Sequence, residues 1–246
     1  MQLESLEGRR LLTATLEAGV LTVIGTNGPD VIGIRPAPNG QLAVFEGVYS
    51  PTTTGPVRPP TLFPAAAVNS IVIRGLEGND AISVLAVKPA PSPTLAPAVP
   101  IPTLISGGPG NDRIHGNVGP DRIHGDAGDD FIDANRGNDS VSGDDGRDVI
   151  RGGPGADHLS GGNNNDFIDA RDRRGDDVVD GGDNDAPTST QPGDVALVDA
   201  GDDVTNVERV VTYGTPGSIA KFSTSTIGGD VLDPGGIGAE GPIAVL

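Results

Sequence analysis

Apolar and polar positions follow a nine-residue period through the middle of the chain. From residue 107 the sequence reads GGPGNDRIH, GNVGPDRIH, GDAGDDFID, ANRGNDSVS, GDDGRDVIR, GGPGADHLS and GGNNNDFID, and DRRGDDVVD follows a two-residue insertion at 170–171. Gly, Asn and Asp in the first six positions predict a turn, and the last three positions predict a short strand. Because neighbouring strand side chains point to opposite faces, the apolar eighth position faces a core. The eighth-position residues are Ile114, Ile123, Ile132, Val141, Ile150, Leu159, Ile168 and Val179.

The same pattern continues in weaker form outside these units. GTNGPDVIG (25–33) and GLEGNDAIS (75–83) keep Gly, Asp and Ile at the fourth, sixth and eighth positions, and Pro-rich stretches at 49–64 and 87–102 interrupt the strand-like runs. We therefore expect an all-β protein, a parallel β-roll or solenoid over 107–183, with a degenerate β segment before it and a short strand cap after it. The expected parts are 1–24, an export-like motif and first strand; 25–106, the degenerate segment; 107–183, the roll; 184–213, the cap; and 214–246, a loosely ordered tail. Whether residues 1–106 continue the same solenoid is open at this stage.

Composition narrows the possible partners. The chain has 246 residues, no Cys and a formal net charge of −18, so thiolate metal sites and disulfides are excluded and a nucleic-acid partner is disfavoured. No apolar run approaches the roughly 20 residues of a membrane-spanning helix. The first residues, MQLESLEGRRLLTATLEAG, lack the apolar core of a secretory signal peptide, so we expect export without a classical signal peptide.

A second source of stability is needed because the predicted core is thin. One buried Ile or Val contributes roughly 1.5–3 kcal/mol, whereas ordering each residue of the unit costs roughly 1–2 kcal/mol. The sixth-position aspartates can supply it, since carboxylate and carbonyl oxygens are the ligands of Ca²⁺. Residues 107–185 contain 19 Asp and no Glu against 8 Arg and no Lys, a balance of −11. The sixth-position residues are Asp112, Asp121, Asp130, Asp139, Asp148, Asp157, Asp166 and Asp177.

GGPGNDRIH and GGPGADHLS both fit G-G-x-G-x-D-x-U-x, the calcium-binding nonapeptide of RTX proteins. Residues 107–180 thus resemble an RTX β-roll of hemolysin-type calcium-binding repeats, and the wider chain resembles bacterial secreted calcium-binding repeat proteins. The opening LESLEGRRLL is similar to the LE-x-R-x-LL motif of planctomycete surface and exported proteins.

The resemblance implies where calcium would bind. Strands would alternate between two sheets, and each ion would lie between same-side turns two units apart. One edge would then carry Asp112, Asp130, Asp148 and Asp166, and the other Asp121, Asp139, Asp157 and Asp177. Turn glycines complete the expected metal-binding set: Gly108, Gly110, Gly128, Gly146, Gly153 and Gly155. The expected cofactor is Ca²⁺, about five or six ions, with folding coupled to binding in a secreted or cell-surface protein.

Other functions are compatible with the same residues. The roll could be a spacer in a structural or adhesive module whose partners are cell-envelope or extracellular matrix components. Its contact face would be the Pro-rich loops at 49–64 and 87–102 or the outer stripe formed by Arg113, Phe131, Val149 and Phe167. A polysaccharide lyase or epimerase fragment is the third alternative, but no His–Ser arrangement suggests catalysis, so we expect no enzyme. The three His residues, 115, 124 and 158, take outward positions; we expect solvated side chains rather than a zinc site. Oligomeric state is open.

Overall fold

A computed structural model describes residues 12–46, 59–85, 87–88, 99–183 and 193–213. Almost all regular structure in these ranges is β-strand, and the only helical segments there are two short 3-10 turns, Pro38–Gly40 and Ala65–Ala67. Two large sheets contain nearly all of the strands. The predicted all-β class with a parallel β-roll is confirmed.

Each sheet is built by strands that are neighbours in space but alternate along the chain. The nine-stranded sheet contains, in spatial order, β1 (Thr13–Glu17), β2 (Val20–Ile24), β6 (Ser70–Arg74), β10 (Thr103–Pro109), β12 (Asp121–Ala127), β14 (Ser140–Asp145), β16 (His158–Asn163), β18 (Val178–Asp183) and β20 (Asp203–Thr205). The ten-stranded sheet contains β21 (Arg209–Tyr213), β19 (Val195–Asp199), β17 (Phe167–Asp169), β15 (Val149–Arg151), β13 (Phe131–Asp133), β11 (Arg113–His115), β7 (Ala81–Val84), β3 (Val31–Ala37), β4 (Gln41–Glu46) and β5 (Thr61–Pro64). A small two-stranded sheet pairs β8 (Val87–Lys88) with β9 (Val99–Pro100).

Within the repeats every coil of the chain comprises two nonapeptides. Ile114 therefore pairs with Ile132, and Ile132 with Ile150, in the ten-stranded sheet. In the nine-stranded sheet Ile123 pairs with Val141 in the same way. The pairing is parallel throughout, so equivalent turns stack directly above one another along both edges of the roll.

The segment before the repeats belongs to the same solenoid. Strand β6 is parallel to both β2 and β10, and β7 is parallel to both β3 and β11, in the register that stacks Ile82 on Ile114. Antiparallel strands cover this end: β1 pairs with β2, and β4 pairs with β3 and β5. At the other end β19, β20 and β21 continue the parallel pairing. The LESLEGRR motif and the predicted tail 214–246 lie outside the described residues.

The core is a single layer of apolar side chains between the two sheets. All eight eighth-position residues of the repeats are buried, as their pattern predicts. The layer extends without a break into Ile71, Ile73 and Ile82 on one side and Ala196 and Val210 on the other. A layer one side chain thick brings the two rows of turns close to the core, and this places the sixth-position carboxylates at its border.

Candidate calcium sites

The turns form two rows, which we call the first and second edges. The first edge runs from the nine-stranded to the ten-stranded sheet and contains the turns 25–30, 75–80, 107–112, 125–130, 143–148 and 161–166. The second edge returns to the nine-stranded sheet and contains 116–121, 134–139, 152–157 and 172–177. The structure therefore brings Asp112, Asp130, Asp148 and Asp166 onto one edge and Asp121, Asp139, Asp157 and Asp177 onto the other.

The sixth-position aspartates of each edge form a carboxylate ladder. In all of them except Asp121, one oxygen, Oδ1, accepts a hydrogen bond from the backbone N–H of the Asp in the preceding turn of that edge. Asp112 donates to Asp130 at 2.7 Å, and Asp130 donates to Asp148 at 2.8 Å. On the second edge Asp121 donates to Asp139 and Asp139 to Asp157, both at 2.9 Å. These bonds hold the carboxylates in place and use only half of each group.

The other carboxylate oxygen has no hydrogen-bond partner among the described residues. It is Oδ2 in Asp80, Asp112, Asp130, Asp139, Asp148, Asp157, Asp166 and Asp177. In Asp121 it is Oδ1, because Oδ2 accepts the Asn117 N–H at 2.6 Å. All of these aspartates are at most 4% exposed. A buried carboxylate oxygen without a partner is costly, and a bound cation would remove that cost.

Each carboxylate oxygen without a partner on the first edge lies beside a small space that is open only because the neighbouring residue is glycine. We call this space a glycine cradle. A Cβ added to Gly107 would lie within 3.0 Å of Asp112 Oδ2 and of the Gly125 carbonyl oxygen. Gly125, Gly143 and Gly161 show the same arrangement with their own Asp and the next turn. A position that only glycine leaves open, lined by a carboxylate oxygen and a carbonyl oxygen, suits a cation that takes oxygen ligands.

The six turn glycines predicted from the sequence lie against the preceding turn of the same edge. A Cβ on any of them would overlap a backbone carbonyl oxygen of that turn. The pairs are Gly108 with Leu76, Gly110 with Gly78, Gly128 with Gly110, Gly146 with Gly128, Gly153 with Asn135 and Gly155 with Gly137. Carbonyl oxygens thus point from one turn toward the next, beside the carboxylate ladder.

Burial raises the pKa of every carboxyl group in the ladders, and neighbouring carboxylates on the same edge add to the effect for most of them. The pKa is raised to about 6 in Asp80, Asp112, Asp121 and Asp148, to about 7 in Asp130, Asp139, Asp157 and Asp177, and to about 8 in Asp166. Without a cation, ionising these carboxyl groups therefore costs more free energy in the folded protein than in water. A divalent cation would reverse the shift by stabilising the charged form.

The ligand set would be dominated by the backbone. Across the described ranges, no group of three or more Asp, Glu or His side chains converges in a geometry that could hold a metal ion. A cation between two turns would take one or two carboxylates and complete its shell with carbonyl oxygens and water. Ca²⁺ accepts this mixture because it binds six to eight oxygens with flexible geometry, whereas Zn²⁺ takes few ligands and favours His and Cys.

Irregular units keep the ladder but alter the cradle. The insertion at 170–171 lengthens one step, yet Asp157 still donates to Asp177 Oδ1 at 2.8 Å. Asn164 replaces a fourth-position glycine and adopts φ 77°, which asparagine tolerates. On the second edge, Ala134 and Asp172 replace the first-position glycine. The first edge therefore keeps all four cradles of the repeat region. On the second edge glycine remains at Gly116 and Gly152, beside carboxylate oxygens of Asp121 and Asp157, but the Asp121 oxygen there already accepts the Asn117 N–H.

Three carboxylates extend the ladders beyond the residues predicted from the pattern. Asp166 donates to Asp194 Oδ1 at 2.7 Å, and Asp194 donates to Glu208 Oε2 at 2.8 Å. Asp177 donates to Asp202 Oδ1 at 3.3 Å. The sequence marks such a carboxylate only by its place two positions before a core residue, as Asp194 stands before Ala196. Without turn glycines at the usual spacing this signal is too weak to find by sequence alone.

Comparison with known families agrees with this geometry. Residues 106–141 and 142–172 match the family model of the RTX calcium-binding nonapeptide repeat. These units are RTX repeats. The search of curated proteins and the search of solved structures each found no match. The RTX repeat is a calcium-binding element rather than a catalytic domain, and calcium binding is the function that the match supports.

The outward side chains of the RTX region fall into ladders as well. On the ten-stranded sheet Arg113, Phe131, Val149 and Phe167 are direct neighbours, and the Arg113 guanidinium lies 4.6 Å from the centre of the Phe131 ring. Both Phe rings are half-buried. His115 and His124 lie on different sheets.

A membrane-spanning helix is also absent from the described ranges. Among these residues, no helix has the length and apolar character that crossing a bilayer requires.

Proposed function

We propose that the protein binds Ca²⁺ between successive turns of each edge and that its folding depends on this binding. The observation that carries the proposal is the row of buried carboxylate oxygens without partners beside glycine cradles and carbonyl oxygens. The ligands would be Asp112, Asp121, Asp130, Asp139, Asp148, Asp157, Asp166 and Asp177, with carbonyl groups of the turns that contain Gly108, Gly110, Gly128, Gly146, Gly153 and Gly155.

The number of ions follows from the ladder steps. The eight aspartates make three same-edge steps on each edge, which is consistent with about five or six ions. Sites on the first edge would bind most tightly because all four of its cradles in the repeats keep glycine. The second edge, where Ala134 and Asp172 interrupt the glycine positions, would bind more weakly.

Calcium binding also supports a role outside the cell. Where calcium is scarce the buried carboxylates oppose folding, so the chain would remain unfolded and suited to export. At roughly millimolar Ca²⁺, as outside cells, the free energy of metal binding becomes free energy of folding. We therefore propose a secreted or cell-surface protein that folds after leaving the cytosol.

The test is a calcium titration of the full chain. Far-UV circular dichroism at pH 7.5, starting in chelator, should show a cooperative gain of β signal with Ca²⁺ and none with Mg²⁺ at the same concentration. Asp148→Asn should shift the midpoint to higher calcium, whereas Asp145→Asn, at an exposed position, should not. Full β signal in chelator at this pH would refute calcium-coupled folding.

A second candidate function rests on the outer face of the ten-stranded sheet. The apolar ladder of Phe131, Val149 and Phe167 extends to Val195 in the next strand. Such a stripe favours a structural or adhesive module that binds cell-envelope or matrix material while the RTX roll acts as a spacer. Binding to purified matrix or envelope fractions should then decrease in Phe167→Ser and remain unchanged in Val178→Ser, on the opposite sheet. Equal binding by both variants would argue against this role.

A further inference from the structure

The turn 75–80 lies outside the matched repeats but stacks on the first of them as the repeats stack on one another. The step from Asp80 to Asp112 spans 32 residues instead of 18. Even so, Gly78 donates its N–H to Pro109 at 2.9 Å, the equivalent of the bond from Gly110 to Ala127 at 2.7 Å. The greater length of chain between the two turns therefore leaves their stacking on this edge unchanged.

Asp80 has the same unsatisfied environment as the ladder aspartates of the RTX units. It is 2% exposed, and its Oδ1 accepts the Asp30 N–H at 2.8 Å. Its Oδ2 is buried and has no hydrogen-bond partner in the described part of the chain. A Cβ on Gly75 would overlap both this oxygen and the Gly107 carbonyl oxygen. The cradle seen in the first-edge repeats is therefore present here.

Backbone carbonyls complete the surroundings of this cradle. The carbonyl oxygens of Leu76 and Gly78 point toward Gly108 and Gly110 of the next turn, where any Cβ would overlap them. Leu76 adopts φ 79°, a left-handed conformation that costs a branched residue roughly 1–2 kcal/mol. The turn holds this conformation although its second position is not glycine, and the carbonyl keeps the same direction as in the repeats.

The preceding turn, 25–30, differs in one decisive contact. Asp30 Oδ2 accepts hydrogen bonds from Thr26, from the N–H at 2.6 Å and from the hydroxyl at 3.0 Å. Pro29 occupies the fifth position, whose N–H in the next turns donates to the preceding turn, as Asn111 does to Asn79 Oδ1 at 3.0 Å. Among the described residues no turn precedes this one on the edge, so a residue without an N–H fits there. Asp30 is thus satisfied by its own turn, and Asp80 is not.

We propose that the turns 75–80 and 107–112 hold one further calcium ion, bound by the Asp80 carboxylate and the carbonyl oxygens of Leu76, Gly78 and Gly107. This site rests on the proposed function, since it uses the same chemistry as the RTX units. The turn 75–80, which supplies the carboxylate, lies in a segment that the family match does not cover. The ion would join the N-terminal strands β2, β3, β6 and β7 to the calcium-dependent folding of the roll.

The experiment counts ions in the full chain by native mass spectrometry at saturating Ca²⁺. Asp80→Asn should bind one ion fewer than the unchanged protein. Asp30→Asn is the matched control and should bind the full number, because Thr26 already satisfies Asp30 Oδ2. Circular dichroism in Ca²⁺ checks that both variants fold.

Two further outcomes are decisive. A full ion count in folded Asp80→Asn would overturn the additional site while leaving calcium binding by the RTX units intact. No bound ions in the unchanged protein would instead refute the proposed function itself. If Asp80→Asn does not fold, Gly75→Ala decides: it fills the cradle without removing a charge, and a full count there overturns the site.

Discussion

Protons should replace calcium in stabilising the fold, so the calcium-free protein should be more stable at pH 5 than at pH 7.5. The ladder carboxyls have pKa values raised by burial, for example to about 7 in Asp130 and about 8 in Asp166, from 3.8. A pKa that is higher in the folded state gives a contribution that is fully present below about pH 4 and lost as the pH rises through about 6–8.

The size of the effect is large compared with the stability of a domain. One pKa unit corresponds to about 1.4 kcal/mol, so ionising Asp130 at pH 7.5 without a cation would cost the folded state roughly 4 kcal/mol. Three such groups would cost roughly 12 kcal/mol, which is comparable with the whole stability of a typical domain, about 5–15 kcal/mol. The calcium-free chain should therefore be folded at pH 5 and largely unfolded at pH 7.5.

The assay is far-UV circular dichroism of metal-free protein between pH 5 and pH 8, repeated at saturating Ca²⁺. With calcium the dependence should reverse, because Ca²⁺ binds the ionised carboxylates and protons compete with it. Dilute samples checked by sedimentation exclude aggregation near the isoelectric point, which is about 4.2.

A pair of variants separates the ladder from general charge effects. Asp130→Asn mimics the protonated carboxyl, so at pH 7.5 it should stabilise the calcium-free protein by up to about 4 kcal/mol and weaken calcium binding. Asp129→Asn changes the same charge at an exposed position that pairs with Arg147 at 3.3 Å, and it should alter stability by less than about 1 kcal/mol. Equal β signal at pH 5 and pH 7.5 in metal-free wild type would refute the reasoning.

Three other predictions concern individual positions in the RTX region. Ile132→Ala should lower the free energy of unfolding of the calcium-loaded protein by about 2–5 kcal/mol in urea, because the side chain is fully buried, whereas Val149→Ala on the outer face should cost much less. Gly143→Ala should remove one bound ion in equilibrium dialysis, because its Cβ would occupy the space beside Asp148 Oδ2; an unchanged count would contradict the cradle. Asn164→Ala should lower the unfolding midpoint by the equivalent of about 1 kcal/mol, since φ there is 77°, and Asn164→Gly should not.

The repeat region could be derived from the sequence because every rule involved is local. Turn residues, a three-residue strand and one apolar side chain recur every nine positions, and parallel stacking of such units leaves one register that buries every eighth residue. That each coil comprises two units, so that Ile114 lies above Ile132 and Asp112 beside Asp130, is what the resemblance to RTX proteins implied, and the strand pairing shows it.

Only the tertiary structure decided how far the ladders extend and which oxygens are left without partners. Asp80 lies beside Asp112 across 32 residues and Asp194 beside Asp166 across 28, and nothing periodic in the sequence spans those distances. Strand pairing sets these contacts, because parallel neighbours bring together residues from separate coils whatever the length of the loop between them. Asp30 and Asp80 stand in similar motifs, GTNGPD and GLEGND, and each lies beside a glycine cradle. The structure shows how they differ: Thr26 donates two hydrogen bonds to Asp30 Oδ2, whereas Asp80 Oδ2 has no donor among the described residues.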